Sequence, residues 1–325
     1  MCYDRPTRIS RGSSYHAPVQ TNCEGCAGCC IDWRPLGGAS DHERRGQYRA
    51  LDDSYKLAPL TSDEVRSFLD AGWVDALVPR LFVGGGDGTD ADDDTTPPTV
   101  EVDGYELVAA GGRPLFAVGL RKTPKPVAPF DGDRRWLETC VFLDPSTLQC
   151  RLHDTDRYPR TCATYPGHNL AVDAETECER VETAHGDEQR LCDDSPPADR
   201  PPLPFGPQAL GGTVFAHPEP GDLAGRVDRL AAGEATTADC ATLVGVAVAS
   251  SPGSLAVDGD RRRRATERAR EAAGGSWVAA AVEEWETVVG RTGGAVGSLT
   301  DDLPDPETVE DSRGAPPTPG WDPVE

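Results

Sequence analysis

Four cysteines within one short run constrain this chain more than any other feature of its sequence. The run is Cys23-Glu-Gly-Cys26-Ala-Gly-Cys29-Cys30. Two residues between cysteines allow one tight turn to direct both sulfurs at a common metal, and the glycines at 25 and 28 suit the positive φ and close backbone approach of such a turn. Because Cys29 and Cys30 are adjacent, their side chains leave the backbone in different directions. We therefore expect one of them to turn toward a second metal or toward thiolates from another segment.

A second group of cysteines stands much later in the chain. A β-hairpin is predicted by residues 141–143, a turn at Asp144-Pro-Ser and residues 148–152, which would bring Cys140 and Cys150 together at its open end. Cys162 follows between two Tyr-Pro pairs. We predict that both groups bind metal, through the thiolates of Cys23, Cys26, Cys29, Cys30, Cys140, Cys150 and Cys162.

These thiolates exceed the four that one structural zinc or one cubane cluster requires, which indicates a multinuclear site or one cluster with redox-active thiols nearby. Isolated buried cysteines often pack as small apolar residues without a ligand, but this grouping favours metal. Further candidate ligands are Cys178, Cys192, His153 and His168. For the histidines a surface or hydrogen-bonded role is the simpler interpretation. Cys2 and Cys240 are expected to be free thiols because neither has a ligand partner nearby in sequence.

The identity of the metal is less constrained than its presence. Thiolate ligation suits zinc and iron–sulfur clusters alike. Paired CxxC motifs at zinc-ribbon spacing are absent, and so is the ferredoxin run in which Cys-Pro follows three residues after the third cysteine. The sequence leaves both cofactors open and favours an iron–sulfur cluster over zinc.

The composition indicates the salt concentration of the solvent and says little about binding partners. The 325 residues carry a net charge of −23, and the chain has only three lysines, Lys56, Lys122 and Lys125. Strong salt screening tolerates such self-repulsion, so the composition is typical of a halophilic protein. The negative charge argues against nucleic acid as a ligand. No run approaches the roughly 20 apolar residues of a membrane span, and the first thirty residues lack a secretory signal, so we expect a cytoplasmic protein whose thiols stay reduced.

The predicted fold class is α+β: an irregular, metal-organised domain of short helices and β-hairpins, followed by a helical and disordered extension. We predict three consecutive regions: a cysteine-cluster domain at 1–200 with a flexible acidic insertion at 84–98, a helical extension at 208–290, and a disordered acidic tail at 291–325.

Three local elements are predicted within these regions. Thr61 and Glu64 form a capping box, and Gly111-Gly112 joins two strands, 105–110 and 114–120. Apolar residues at helical spacing predict a helix over 277–289, which would pack on the body or dock a protein partner. The arginines at 261–264 are interpreted as a solvated helix start rather than a nucleic-acid site.

The cysteine pattern resembles the YkgJ-like family, whose members are described as zinc- or iron-chelating. The matching residues are Cys23 to Cys30, the run Cys140-Val-Phe-Leu-Asp144, Cys150, and Pro159-Arg-Thr-Cys162 with Tyr165-Pro166. The resemblance covers residues 20–170 and implies a thiolate-bound metal. Tyr158 and Ala163 stand where that family has arginine, so an anion contact made by relatives would be lost or moved here.

Three hypotheses for the function follow. The first is a metal-binding module, redox-active or purely structural with zinc as a scaffold. The second is an enzyme related to the flagellin lysine N-methylases, a methyltransferase-like activity that the family resemblance implies, although the sequence has no recognisable methyl-donor loop. The third is an assembly protein that docks a partner through the 277–289 helix. Whether the chain is an enzyme stays open at this stage.

Overall fold

The computed structural model describes the chain in ten segments. These are residues 21–37, 41–46, 49–50, 52–53, 57–84, 97–186, 189–192, 206–292, 294–300 and 306–318. The fold is α+β, as predicted, with antiparallel sheets and separate helices. Most of the predicted acidic insertion, residues 85–96, lies outside the described residues. No helix in the described segments is long and apolar enough to cross a membrane.

Short strands and short helices alternate through the first two thirds of the chain, and longer helices follow. The strands are β1 Leu77–Leu81, β2 Thr99–Val102, β3 Tyr105–Ala110, β4 Arg113–Leu120, β5 Lys122–Val127, β6 Arg135–Cys140 and β7 Phe215–Ala216. The helices are α1 Arg34–Gly37, α2 Ser62–Asp70, α3 Arg160–Thr164, α4 Gly167–Ala171, α5 Glu177–His185, α6 Val227–Ala232, α7 Thr237–Ala249, α8 Gly259–Ala272, α9 Trp277–Thr292 and α10 Pro306–Val309.

The chain forms two compact units, and each is built from segments that are distant in sequence. The first unit combines residues 1–53, 122–202 and 281–325, and the second combines 54–121 and 203–280. This division differs from the three consecutive regions predicted above. The physical reason is long-range pairing, since β7 of the expected helical extension hydrogen-bonds to β4, and the expected tail supplies a buried carboxylate to the core of the first unit.

The second unit is organised by an antiparallel sheet in the order β1-β4-β3-β2, with β7 on β4. The hairpin between β3 and β4 is confirmed, with Gly111 and Gly112 at φ values of 57° and 73° in its turn. The capping box of Thr61 and Glu64 is also confirmed at the start of α2. Helices α7 and α8 pack closely because Gly245 has no side chain; a Cβ there would lie 2.0 Å from Thr266 Oγ1.

The first unit contains the two-stranded β5–β6 sheet and an apolar core beside the first cysteine run. Buried members of this core are Cys26, Ala27, Ile31, Trp33, Val127, Leu137, Leu143 and Val181. Cys30 and Cys140 pack against the same cluster. The two predicted cysteine groups therefore share one apolar core.

The C-terminal region is folded where the structure describes it, so the prediction of a disordered tail was wrong for residues 306–318. Helix α10 is followed by a 3₁₀ turn at Asp311–Arg313, and Glu310 between them is fully buried. Lys125 Nζ lies 2.6 Å from Glu310 Oε1. The acidic composition suggested a solvated chain, but this one carboxylate has buried cationic partners that composition does not reveal.

The helix predicted over 277–289 is present as α9, Trp277–Thr292. Its apolar side chains are buried within the chain itself, since Val278 and Trp285 have no exposed surface and Val288 is 3% exposed. The arginines at 261–264 lie in the first turns of α8, where the Asp258 side chain caps the helix by accepting from Arg261 N.

Candidate metal centre

The two cysteine segments lie side by side and are joined through their backbones. Cys140 N donates to Cys30 O at 2.9 Å, and Asp32 N donates to Glu138 O at 2.7 Å. Ile31 and Thr139 form an antiparallel bridge between these two contacts. The last residues of β6 therefore pair with residues 30–32, at the end of the first cysteine run. Sulfurs that are distant in sequence are held on neighbouring strands of chain.

The first run, residues 23–30, folds as two successive tight turns. Cys26 N donates to Cys23 O at 3.1 Å, and Cys30 N donates to Ala27 O at 2.8 Å. Gly25 has the positive φ expected of it, at 64°, and Ala27 also adopts a positive φ of 52°. Cys26 is buried in the core, Cys30 is half-buried, and Cys23 and Cys29 are exposed.

Gly28 serves close approach rather than a positive φ. A Cβ at this position would lie 2.9 Å from Val181 Cγ2, so α5 packs directly against the turn. Gly28 N donates to Cys26 Sγ at 3.4 Å. An amide directed at a sulfur stabilises the thiolate form, which is the form that binds metal.

The second group, residues 140–150, forms the predicted hairpin as a short bridge between Leu143 and Cys150. Asp144 closes its turn, because Asp144 Oδ1 accepts from Ser146 N at 2.9 Å while Asp144 N donates to Gln149 O at 2.9 Å. The buried Lys125 Nζ donates to the carbonyls of Val141 and Leu143, at 2.9 and 2.7 Å. Cys140 and Cys150 are therefore placed by one turn and one buried ammonium group.

Four thiols form the first neighbourhood of the site: Cys29, Cys30, Cys140 and Cys150. The sulfurs of Cys29 and Cys30 are 3.9 Å apart, and the hydrogen bond between them lowers the pKa of Cys29. The same hydrogen bond, followed by burial and by the charges at Cys140 and Cys150, raises the pKa of Cys30 well above its usual range. Burial, and then the charge at Cys140, raises the pKa of Cys150 to about 12.

A second neighbourhood combines Cys29 with Cys23, Cys26 and Cys178. Burial, reinforced by negative charge at Cys29 and Cys23, raises the pKa of Cys26 to about 12. Burial and the charges at Cys29, Cys23 and Cys26 also raise the pKa of Cys178. Cys178, a secondary candidate in the sequence, therefore belongs with the first cysteine run. Cys29 is the residue that both neighbourhoods share.

Cys162 and three thiols of the first neighbourhood all influence the pKa of Tyr158. Burial raises the pKa of Tyr158, and negative charges at Cys162, Cys30, Cys29 and Cys150 raise it further. Cys162 itself lies in α3, which begins after Pro159.

The remaining candidate ligands make other contacts. His168 is buried and hydrogen-bonds Thr164. His153 is partly exposed beside Asp154; its backbone N–H donates to Cys150 O at 3.1 Å, and its ring lies 5.1 Å from that of Tyr158. Cys192 is not a free thiol. Cys240 lies on α7 in the second unit as a free cysteine, as expected, and Cys2 is outside the described residues.

Two lysines act on the site, and the sequence analysis did not assign them a role. Lys122 stands opposite Cys140 in the β5–β6 register, and its positive charge lowers the pKa of Cys29. Lys125 and Lys122 also counter the effect of burial, which raises the pKa of Cys140. The signal was present in the composition, since these are two of only three lysines in the chain.

The spacing of the sulfurs limits the type of centre. Among the described residues, no three cysteine sulfurs lie within 4.8 Å of one another. A tetrahedral zinc site with Zn–S bonds of about 2.3 Å places its sulfurs about 3.8 Å apart. The Cys29–Cys30 pair, at 3.9 Å, fits one edge of such a tetrahedron. The other thiols are spread more widely around this pair.

A model of one protein family, described as a family of unknown function (DUF7531), matches residues 19–322. The match includes every predicted ligand and both compact units. No curated protein and no solved structure matches the chain.

Proposed function

We propose that this chain, which belongs to the DUF7531 family of unknown function, binds a metal centre through the thiolates around Cys29, and that the centre is an iron–sulfur cluster. The observation that carries the proposal is the backbone hydrogen bond from Cys140 N to Cys30 O, at 2.9 Å. It joins two cysteine groups that are far apart in sequence. Metal–thiolate bonds at such a gathering of thiols would contribute folding free energy directly.

The chemistry of the donor set fits a cluster better than one zinc ion. Thiolates that share one zinc ion must all lie about 3.8 Å apart, whereas thiolates on different irons of a cluster are separated by at least one metal–metal spacing as well. The sulfurs of Cys29 and Cys30 are 3.9 Å apart, but no three cysteine sulfurs of the described residues lie within 4.8 Å of one another. This spacing suits a cluster better than a single zinc ion. Cys30, Cys140 and Cys150 with Cys29 would hold such a cluster, and Cys162 stands beside them.

The charges around the thiols support an anionic centre. Lys122 and Lys125 are adjacent to Cys140 in a chain that otherwise excludes lysine almost completely. A fixed ammonium group stabilises thiolates and a negatively charged cluster alike. When bound, an iron–sulfur cluster supplies one-electron transfer or structural support. The residues of this chain hold it, neutralise part of its charge through Lys122, and leave Cys29 open to solvent.

Elemental analysis of anaerobically purified protein tests the proposal. The full chain, produced in a host grown at high salt, is assayed for iron, acid-labile sulfide and zinc per chain. We expect iron and sulfide in equal amounts and a brown protein. The Cys140→Ser variant should lose both, while the matched variant Cys240→Ser, altered in the second unit, should retain them. A colourless protein with stoichiometric zinc would contradict the cluster, and a protein free of metal would contradict the thiolate site itself.

A further inference from the structure

A buried histidine in the first unit faces two carboxylates that no predicted function uses. The side chain of His42 is 2% exposed. Its Nδ1 lies 2.7 Å from Asp53 Oδ1, and its backbone N–H donates to Asp53 Oδ2 at 2.9 Å. Asp53 therefore fixes both the main chain and the ring orientation of His42. When the imidazole is neutral and Nδ1–H is donated to Asp53, Nε2 has a lone pair for a cation. In the structure Arg180 Nη1 approaches this nitrogen to 3.4 Å.

Nε2 of His42 points at the two carboxylates. It lies 3.2 Å from Asp52 Oδ2 and 3.5 Å from Glu177 Oε1. These three ligand atoms all lie within 4.8 Å of one another. A metal with bonds of about 2.1 Å places neighbouring ligand atoms about 3.0 Å apart at right angles and about 3.4 Å apart in a tetrahedron. Both distances measured from Nε2 are close to that range.

Each carboxylate is held in place by a neutral donor. Tyr165 OH donates to Asp52 Oδ2 at 3.1 Å, and Asn169 Nδ2 donates to Asp52 Oδ1 at 3.2 Å. Trp33 Nε1 donates to Glu177 Oε2 at 2.8 Å. Glu177 Oε1, which lies 3.5 Å from His42 Nε2, also accepts from Arg180 Nη1 at 2.7 Å. Donors of this kind orient the ligands of metal sites, and a carboxylate on the far nitrogen of the histidine is part of the same pattern.

The local charge count also calls for a cation. Asp52, Asp53 and Glu177 contribute three negative charges, and Arg180, whose Nη1 lies 2.7 Å from Glu177 Oε1, contributes one positive charge. A neutral His42 with a divalent ion gives a formal sum of zero. A protonated His42 without an ion leaves one uncompensated negative charge in a poorly solvated place, which is the costlier arrangement.

We propose that His42 Nε2, Asp52 and Glu177 bind one divalent cation, with Asp53 as the residue that positions the histidine. One imidazole and two carboxylates suit Mn²⁺, Fe²⁺ or Zn²⁺ rather than a thiophilic ion. Three protein ligands leave coordination positions for water or a small anionic substrate. This site is separate from the thiolate centre and uses none of its sulfurs.

The two sites nevertheless adjoin each other. Glu177 precedes Cys178 at the start of α5. Burial raises the pKa of Tyr165, and the negative charges at Asp52, Glu177, Cys178 and Cys29 raise it further. The tyrosine hydroxyl thus donates to a proposed ligand of the cation.

Titration with Mn²⁺ alone, followed by electron paramagnetic resonance, tests the proposal on the full chain. Thiolates are poor ligands for Mn²⁺, and molar KCl screens the acidic surface, so the signal reports this site. We expect one Mn²⁺ per chain, bound roughly tenfold or more weakly in Asp52→Asn and in Asp53→Asn. The matched variant Asp154→Asn, which alters an exposed Asp–His pair in the same unit, should bind Mn²⁺ like the unaltered chain.

Failure of this site and failure of the thiolate centre are distinguishable. Cys140→Ser should retain Mn²⁺ binding even if it loses iron and sulfide. Absence of Mn²⁺ binding by the folded, unaltered chain would overturn the cation site. Weak binding that is identical in Asp52→Asn, Glu177→Gln and Asp154→Asn would also overturn it, because such binding belongs to the acidic surface.

Discussion

Replacing Glu310 with glutamine should strongly destabilise the first unit. Glu310 has no exposed surface, and its Oε1 lies 2.6 Å from Lys125 Nζ and accepts from Trp285 Nε1 at 3.0 Å. Its Oε2 lies 3.0 Å from Arg151 Nη2 and accepts from Arg151 Nε at 3.1 Å. The lysine and arginine side chains are 1% and 2% exposed. Glutamine preserves the shape of this side chain but leaves two buried cations facing a neutral amide.

The size of the effect follows from the partners that remain. Removing one partner of a buried ion pair costs about 3–5 kcal/mol, since the other charge stays buried and uncompensated. Arg151 keeps Asp311 at 2.9 Å and Asp144 at 3.4 Å, whereas Lys125 keeps only the carbonyls of Val141 and Leu143 in the described structure. We therefore expect a loss near the lower end, about 3 kcal/mol.

Urea unfolding in molar KCl, followed by tryptophan fluorescence, measures this loss. Glu283→Gln is the matched control, because Glu283 is exposed on α9; its effect should stay within about 0.5 kcal/mol. Replacing Lys125 with methionine together with Glu310→Leu should restore part of the stability, since an apolar pair often replaces a buried ion pair at little cost. A loss below about 1 kcal/mol for Glu310→Gln would refute the buried network and the packing of residues 306–318.

Three further predictions concern the cysteine segments. Gly28→Ala should lower the metal content, because the new Cβ would lie 2.9 Å from Val181 Cγ2 and displace the turn. Gly25→Ala is the control for backbone strain, because its Cβ meets nothing within 4 Å although Gly25 has a φ of 64°. An unchanged iron content in Gly28→Ala would refute the tight packing. Thr176→Ala should lower the free energy of unfolding by about 1 kcal/mol, because it removes the capping box of α5. Thr183→Ala, on the exposed side of that helix, is the control, and equal losses in the two variants would contradict the cap. Metal binding to the metal-free protein should release protons, because Cys150, with a pKa of about 12, is protonated at pH 8 and must lose its proton to bind. Affinity should therefore rise with pH, and calorimetry in buffers of different ionisation enthalpy would reveal the release; enthalpies independent of the buffer would contradict it.

Local signals in the sequence predicted local structure well. The capping box of Thr61 and Glu64, the glycine turn at 111–112 and the periodicity over 277–289 each depend on residues within one or two turns of chain. Such features are encoded by backbone preference and by side-chain spacing. The structure contains all three at the expected positions.

Long-range pairing could not be predicted in the same way. Nothing near Phe215 in the sequence indicates that it pairs with Phe116 of β4. The sequence analysis therefore predicted consecutive regions, whereas each unit of the structure combines distant segments. Glu310 looked like one more solvated acid among 55 acidic residues. Its burial depends on Lys125 and Arg151, which lie far upstream, and charge counts do not report such partners.

The candidate sites show the same division. The cysteine runs stand out because thiols are rare and clustered, whereas the role of Lys122 depends on its register opposite Cys140. The His42 site was missed because a single histidine and scattered carboxylates have no spacing signal. Only folding brings Asp52 and Glu177 to one nitrogen of that ring.

X-ray absorption at the iron edge of anaerobically purified protein tests the central claim most directly. The account predicts that sulfur atoms dominate the nearest shell around iron, and that a short iron–iron distance is present, since the thiolates around Cys29 would hold a cluster. A shell made only of oxygen and nitrogen, with no iron–iron scattering, would contradict it.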